Sequence, residues 1–217
     1  MAVTSWVSAS SAASVAGIGT VDWTNPTNCH VDDTSYAAAN SMTASAVSKW
    51  LRAYFSFTSS DVPSGATIDG IEVETIVYGV NTVLIKTNAM RLVVGGTING
   101  TNVSGMDTTN WGTSGTFAEE TKTYGGASNL WNATPSESDV TGASFGCAIS
   151  AVNYEASKAR NAQLDYMRMR IYYTASGDVP GGASGGRRSQ GVPWMARTWH
   201  PIPNFVRRNQ ILVPAWI

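Results

Sequence analysis

Apolar and polar residues alternate one by one in several short runs of this chain, and this two-residue period restricts the chain to β structure. Leu51, Ala53, Phe55 and Phe57 share one face of an extended strand, and Arg52 falls on the opposite face. The alternation returns at 71–77, 90–94, 145–151 and 167–173. We therefore predict a series of strands, each with one buried face.

The connections between these runs are rich in Gly, Asn, Ser and Thr, and strong helical periodicity is missing. A short helix is expected at 135–141, where Thr134 offers an N-cap and Pro135 a first helical residue. Pro26 restricts the preceding Asn25 to extended backbone. Many strands, frequent turns and few helices predict an all-β protein: an antiparallel β-sandwich or jelly-roll-like body with an extended C-terminal arm.

Composition divides the chain into four parts. Residues 1–17 form an N-terminal segment, and residues 18–175 form the β body. Residues 176–186 form a linker whose glycines have too much chain entropy to order themselves. Residues 187–217 form an arm that combines proline, tryptophan and arginine.

Charge separates the same parts. Residues 1–175 carry nine Lys or Arg and fourteen Asp or Glu, whereas residues 176–217 carry five arginines and one aspartate. A basic arm on an acidic body fits an arm that lies on an acidic surface of a neighbouring subunit. Nucleic acid is the less favoured partner, because the arginines are spread among Pro, Trp and Ile and do not form a run.

Charged residues are only 13% of the chain, against about 25% in ordinary domains, while 43% of the residues are hydrophobic. This balance argues against a disordered body. No apolar run reaches the roughly 18 residues that a membrane span needs. The N-terminus lacks the basic and apolar regions of a secretory signal, so we expect synthesis in a cytosol without export by that route.

The histidines and cysteines give little support to catalysis. Cys29 and His30 are adjacent, but neighbours on an extended strand point to opposite faces, so adjacency does not create a thiol–imidazole dyad. Cys147 lies on the inward face of an alternating run, where a small buried hydrophobe is expected. Whether Cys29, which falls in a polar loop, pairs with Cys147 stays open at this level.

Three acidic pairs are the remaining candidates for chemistry: Glu72 with Glu74, Glu119 with Glu120, and Asp32 with Asp33. The glutamate pairs could serve glycoside cleavage, and solvated strand faces are the simpler interpretation. The aspartate pair offers hard oxygen ligands for calcium, although a turn formed by the two aspartates is favoured. We predict no catalytic residue, no cofactor and no metal ligand.

Four tryptophans are scattered through the body: Trp23, Trp50, Trp111 and Trp131. Exposed tryptophans can form stacking platforms for sugars. Packing in the core or between loops is the commoner fate of such residues and is our prediction here.

Several segments, taken in order, carry a resemblance to known proteins. They are WTNPTN at 23–28, DDTSYA at 32–37, VPSGATIDGIEV at 62–73, YGGASNLW at 124–131, FGCAI at 145–149 and DYMRMRIYY at 165–173. Together they resemble a group of largely uncharacterised virion proteins of tailed phages, over about residues 20–175 and without the arm. The resemblance implies a β-rich virion component, assembled in the host cytoplasm, and no catalytic residues.

Within that class the sequence favours a head decoration (cement) protein, which needs a compact body, no catalysis and a limb that grips neighbouring subunits. The expected partners are the major capsid protein or neck or tail subunits, with further copies of this chain in the same particle. A tail or fibre adhesin that binds host-surface glycan, and a neck or tail connector, are the alternatives. The predicted partner-binding residues are Arg187, Arg188, Trp194, Trp199, Phe205, Arg207, Arg208, Trp216 and Ile217.

Overall fold

A computed structural model describes residues 1–79, 84–106, 108–112 and 119–177. The arm and most of the linker lie outside the described residues, so the architecture given below is that of the body.

Eleven strands account for about half of the described residues. They are β1 (Ala2–Val3), β2 (Val7–Val15), β3 (Trp23–Thr24), β4 (Ala37–Met42), β5 (Trp50–Phe55), β6 (Thr67–Gly79), β7 (Ile85–Val94), β8 (Thr97–Asn99), β9 (Glu119–Gly126), β10 (Gly146–Asn153) and β11 (Arg160–Thr174). Every ladder between these strands is antiparallel. The prediction of an antiparallel all-β protein is confirmed.

The strands form one open sheet in the order β3-β4-β11-β2-β5-β10-β7-β8, with β6 paired to β11 and β9. β2 connects its two halves. Val7 and Ser8 pair with β11, and the ladder with β5 begins at Ala9 and shifts register before Ser11. This open topology does not establish the predicted sandwich or jelly roll, which stays a prediction.

The two halves nevertheless share one core. Cys147 Sγ of β10 lies 3.3 Å from Met167 Sδ of β11, although these strands are three places apart in the sheet. In a flat sheet such strands would be roughly 14 Å apart, because neighbours are spaced by about 4.8 Å. The sheet must therefore bend so that its apolar faces meet. The inward alternation predicted at 51–57 is confirmed, since Leu51, Ala53 and Phe55 are buried.

A β-bulge interrupts β11 at one residue. Leu164 opposes Val77 and Tyr166 opposes Ile76, so Asp165 has no opposite residue on β6. The extra residue reverses which alternate positions of the strand point inward. Leu164 precedes the bulge and Met167 follows it, and both are fully buried although they are separated by an odd number of positions. An acidic residue is thereby placed at a buried position.

Residues 1–17, predicted to be a separate N-terminal segment, contribute two strands to the sheet. β1 pairs with β11, and β2 lies between β11 and β5. The Ser- and Ala-rich composition of β2 concealed it, because only Ala9 in this strand is fully buried and the remaining residues give a weak apolar alternation.

A short helix is present at Glu137–Val140, within the predicted range 135–141. Its N-cap is Ser136, in a capping box closed by Asp139, so the predicted N-cap at Thr134 and first helical residue at Pro135 were wrong. The expectation for Asn25 was wrong. Asn25 is left-handed, at φ 50° and ψ 50°, and begins the 3-10 helix Pro26–His30. Asparagine is one of the few residues that adopt this region readily.

Among the described residues, no helix has the length and apolar character needed to cross a membrane.

Candidate functional site

The predicted partner-binding residues of the arm lie outside the described residues. They are Arg187, Arg188, Trp194, Trp199, Phe205, Arg207, Arg208, Trp216 and Ile217. Their role therefore stays a prediction, and the sites described below belong to the body.

The Cys29–His30 pair does not have the properties of a nucleophile and base. Cys29 is fully buried in the 3-10 helix and belongs to the main core, so its placement in a polar loop was wrong. Burial raises the pKa of its thiol to about 12, which keeps it protonated. Burial also lowers the pKa of His30, and a hydrogen bond with the Ser11 backbone acts in the opposite direction. Cys147 is buried as predicted, and both thiols are free.

The pair Glu72 and Glu74 lies on an outer face of the sheet and is neutralised by arginines of the neighbouring strand. Arg170 Nη2 lies 2.9 Å from Glu72 Oε2, and Arg168 forms an ion pair with Glu74. Both guanidinium groups lie over the Trp6 ring, with the Cζ atom 4.8 Å from the ring centroid for Arg168 and 4.5 Å for Arg170. These carboxylates are parts of a cross-strand charge ladder.

The four body tryptophans are core residues, as predicted. Trp23 and Trp50 are at most 5% exposed, and Trp111 and Trp131 are fully buried. Trp111 Nε1 donates to Thr87 Oγ1 at 3.0 Å. A stacking platform for sugars built on these four rings is therefore excluded.

An acidic pocket forms where three distant segments meet: the loop after the 3-10 helix, the first residue of β9 and the bulge of β11. It contains Asp32, Glu119 and Asp165, which offer one carboxylate oxygen each within 4.8 Å of one another. Asp32 and Glu119 are exposed. Asp165 is fully buried, and its Oδ2 atom has no hydrogen-bond partner.

The loop that carries Asp32 is tied to the pocket by backbone hydrogen bonds. The Ser35 amide donates to Asp33 Oδ1 at 2.6 Å, which closes a turn of the kind that aspartate favours. The Asp33 amide donates to Asp165 Oδ1 at 3.4 Å. The predicted turn at Asp32–Asp33 is thus present, and it also brings Asp32 to the buried carboxylate.

Two tyrosines form a wall of the pocket. The Tyr36 and Tyr78 rings stack with centroids 5.3 Å apart, and Tyr36 Oη donates to Glu119 Oε1 at 3.1 Å. Burial, helped by the adjacent Glu119 carboxylate, raises the pKa of Tyr36 to about 12. Tyr36 is therefore a stable donor that orients Glu119, and the interpretation of Glu119 as part of a solvated strand face was incomplete.

The negative charge of the acidic pocket is not neutralised by the described residues. None of their Lys or Arg side chains forms an ion pair with Asp32, Asp33, Glu119 or Asp165. The pKa of Asp165 is raised to about 7, chiefly by burial; the hydrogen bond from the Asp33 amide lowers it, and the carboxylates of Glu119, Asp32 and Asp33 add to the rise. A proton on Asp165 or a bound metal ion would reduce the repulsion between these carboxylates.

A groove of about 760 Å³ crosses the outer face of the sheet over β5, β10 and β7. Arg52 and Arg91 flank the small Ala148 across the two ladders. The described residues that line the groove include no acid; they are Val15, Ala16, Gly17, Ile18, Trp50, Arg52, Asn88, Ala89, Arg91, Gly96, Thr97, Ile98 and Asn102. The groove therefore favours an anionic ligand.

No family model, curated protein or solved structure matches this chain. The resemblance to virion proteins of tailed phages rests on the sequence segments quoted above.

Proposed function

We propose that this chain is a non-enzymatic structural protein of a tailed-phage particle, most specifically a head decoration protein held to neighbouring subunits by its C-terminal arm. The observation that carries the proposal is the break in charge and composition after β11. This strand ends at Thr174, and beyond it the acidic β body gives way to a linker and a basic, aromatic arm.

The body supports this proposal because it has the features of a scaffold. One core connects residues of both halves of the sheet. The carboxylates of Glu72 and Glu74 are held in ion pairs, and the Cys29 thiol is buried with a raised pKa. Such a body can present a stable surface on a particle while the arm provides attachment.

Attachment is expected to depend on the tryptophans of the arm more than on its arginines. An aromatic anchor that is buried at an interface contributes roughly 2–4 kcal/mol, whereas an exposed ion pair contributes about 0–1 kcal/mol. Trp199→Ala and Trp216→Ala should therefore weaken attachment more than Arg187→Ala and Arg188→Ala. The measurement is the release of this protein from purified particles across a series of salt concentrations.

Wild-type protein should resist salt, and the tryptophan variants should be released at lower salt than the arginine variants. The anchoring model would be contradicted if salt alone released the wild-type protein and the tryptophan variants were released at the same salt concentration. That result would indicate that the arm is held by electrostatic attraction.

A second candidate function is glycan binding by the body, as in a tail or fibre adhesin, and the basic groove is the observation that favours it. Charge-assisted hydrogen bonds from Arg52 and Arg91 would select acidic sugars. Since such bonds contribute about 1.5–3 kcal/mol each, Arg91→Ala should weaken binding of polygalacturonate by roughly 10-fold or more. Titration calorimetry provides the measurement, with neutral dextran as the control ligand. Equal binding by wild type and variant would remove this candidate.

A further inference from the structure

The buried oxygen of the acidic pocket lacks the partner that buried polar atoms normally have. Asp165 is fully buried, yet its Oδ2 atom accepts no hydrogen bond. Most such atoms in folded proteins are satisfied by protein groups, water or ions. Asp165 also belongs to a group with Asp32 and Glu119 in which one carboxylate oxygen of each residue lies within 4.8 Å of the others, so a cation is a partner that would serve all three.

The spacing of the three carboxylates fits a single calcium ion. Calcium binds oxygen at 2.3–2.6 Å, so two ligands on opposite sides of the ion are roughly 4.6–5.2 Å apart. The oxygens of Asp32, Glu119 and Asp165 all lie within 4.8 Å of one another. One ion can therefore reach all three oxygens without a rearrangement of the backbone.

The chemistry of the pocket also favours calcium over other metals. Its three candidate ligands are carboxylates, which suit hard cations, and the cluster contains neither His nor Cys. Magnesium requires near-ideal octahedral geometry at about 2.0–2.1 Å, whereas calcium accepts irregular sites with six to eight oxygens. Because Asp32 and Glu119 are exposed, water can complete the coordination.

We propose that Asp32, Glu119 and Asp165 bind one calcium ion. The ion would connect the loop after the 3-10 helix, the beginning of β9 and the bulge of β11, which are far apart in the sequence. Its binding would neutralise the repulsion between the carboxylates and give Asp165 Oδ2 a partner. The ion is thus a clamp between segments of the body, and this role does not depend on the proposed function in a virion.

The bulge and the turn position these ligands. The bulge leaves Asp165 without an opposite residue on β6, at a fully buried position. The Asp33 amide, which donates to Asp165 Oδ1, leaves Oδ2 for the ion. Tyr36 donates to Glu119 Oε1 and leaves the second oxygen of that carboxylate available.

The test uses the full-length chain, stripped of metal with EDTA, dialysed free of the chelator and then titrated with calcium or magnesium at pH 8. Calorimetry should show one calcium per chain. At calcium concentrations about 100-fold above the Kd, Tm should rise by roughly 5–10 °C, and magnesium should give a smaller rise. Terbium, which replaces calcium, should give luminescence on excitation of tyrosine, because Tyr36 lies against Glu119.

Asp165→Asn keeps an acceptor for the Asp33 amide and removes the charge, and Glu119→Gln makes the matching change at an exposed position. Each should weaken calcium binding by about 10-fold or more. Glu137→Gln, in the short helix and outside the acidic pocket, is the control and should bind calcium like the wild type.

The proposal is overturned if calcium fails to bind or to stabilise the wild-type chain. It is also overturned if Asp165→Asn and Glu119→Gln respond to calcium as Glu137→Gln does. If Asp165→Asn does not fold, the exposed Glu119 variant still decides the question.

Discussion

Replacing Trp131 with alanine is expected to lower the free energy of unfolding by about 3–5 kcal/mol, the usual cost of removing a large buried aromatic side chain. Trp131 is fully buried and its Nε1 atom donates to the Ile71 carbonyl at 3.0 Å. Its carbonyl accepts from the Thr101 amide at 2.6 Å and from Thr101 Oγ1 at 2.9 Å. The substitution leaves a cavity and also removes the donor to Ile71. Equilibrium denaturation of the full-length chain measures the loss.

The backbone at this corner depends on the same packing. Trp131 has a φ of 56°, a left-handed conformation that bulky residues rarely adopt. Opposite the indole, a Cβ atom on Gly125 would lie 2.0 Å from the Ile71 carbonyl oxygen and 2.6 Å from Trp131 Nε1. Gly125→Ala should therefore destabilise the chain by a comparable amount, because the added methyl group would overlap the Ile71 carbonyl and the Trp131 indole.

The matched control is Gly105→Ala. Gly105 is exposed, and apart from its two chain neighbours no described residue has an atom within 4 Å of the Cβ that it would gain, so the change should stay within about 0.5 kcal/mol. If the Trp131 or Gly125 variant were as stable as the wild type, the packing of Trp131 against Gly125 and Ile71 could not be a main element of the core.

The strands were predictable from sequence wherever one face of a strand is buried. Leu51, Ala53 and Phe55 show this, since a two-residue period directly reports a half-buried strand. β2 was missed, because its Ser- and Ala-rich residues provide little apolar contrast. The curvature that lets Cys147 contact Met167 depends on bulges and on long-range packing, which no local pattern encodes.

The acidic pocket was only partly predictable. Asp32 and Asp33 were recognised as a turn with calcium-binding chemistry, and the structure confirms the turn. Glu119 and Asp165 join Asp32 only through the tertiary fold. One local signal for Asp165 exists: it follows Leu164 and stands at the point where the inward phase of β11 changes. A change of phase around a single acidic residue is a sign of a bulge that points a carboxylate inward.

The anionic character of the body and the basic character of the arm were evident from sequence, but the arrangement of charge within the body was not. The sequence predicted that Glu72 and Glu74 lie on a solvated strand face, whereas in the structure they form ion pairs with Arg170 and Arg168 of β11. Cross-strand pairing depends on register, and the register of β6 against β11 contains two shifts. The basic groove likewise depends on register, which places Arg52 and Arg91 opposite Ala148 on its two neighbouring strands.

Removing the C-terminal segment is expected to abolish attachment to the particle while leaving the body folded. Since β11 ends at Thr174, a chain that stops there keeps all eleven strands, and its Tm should change by less than about 2 °C. The substitutions in the arm remove single anchors, whereas this truncation removes all of them, so the expected loss of binding is complete.

The measurement that tests the central claim most directly compares particles assembled with the full-length chain and with the chain ending at Thr174. Quantitative mass spectrometry of the purified particles, with reconstruction of their density, should show the full-length protein in many copies over the head and no truncated protein. Full-length protein missing from purified particles, or truncated protein present at the full-length level, would contradict the account. A large fall in the Tm of the truncated chain would instead assign the segment to the body.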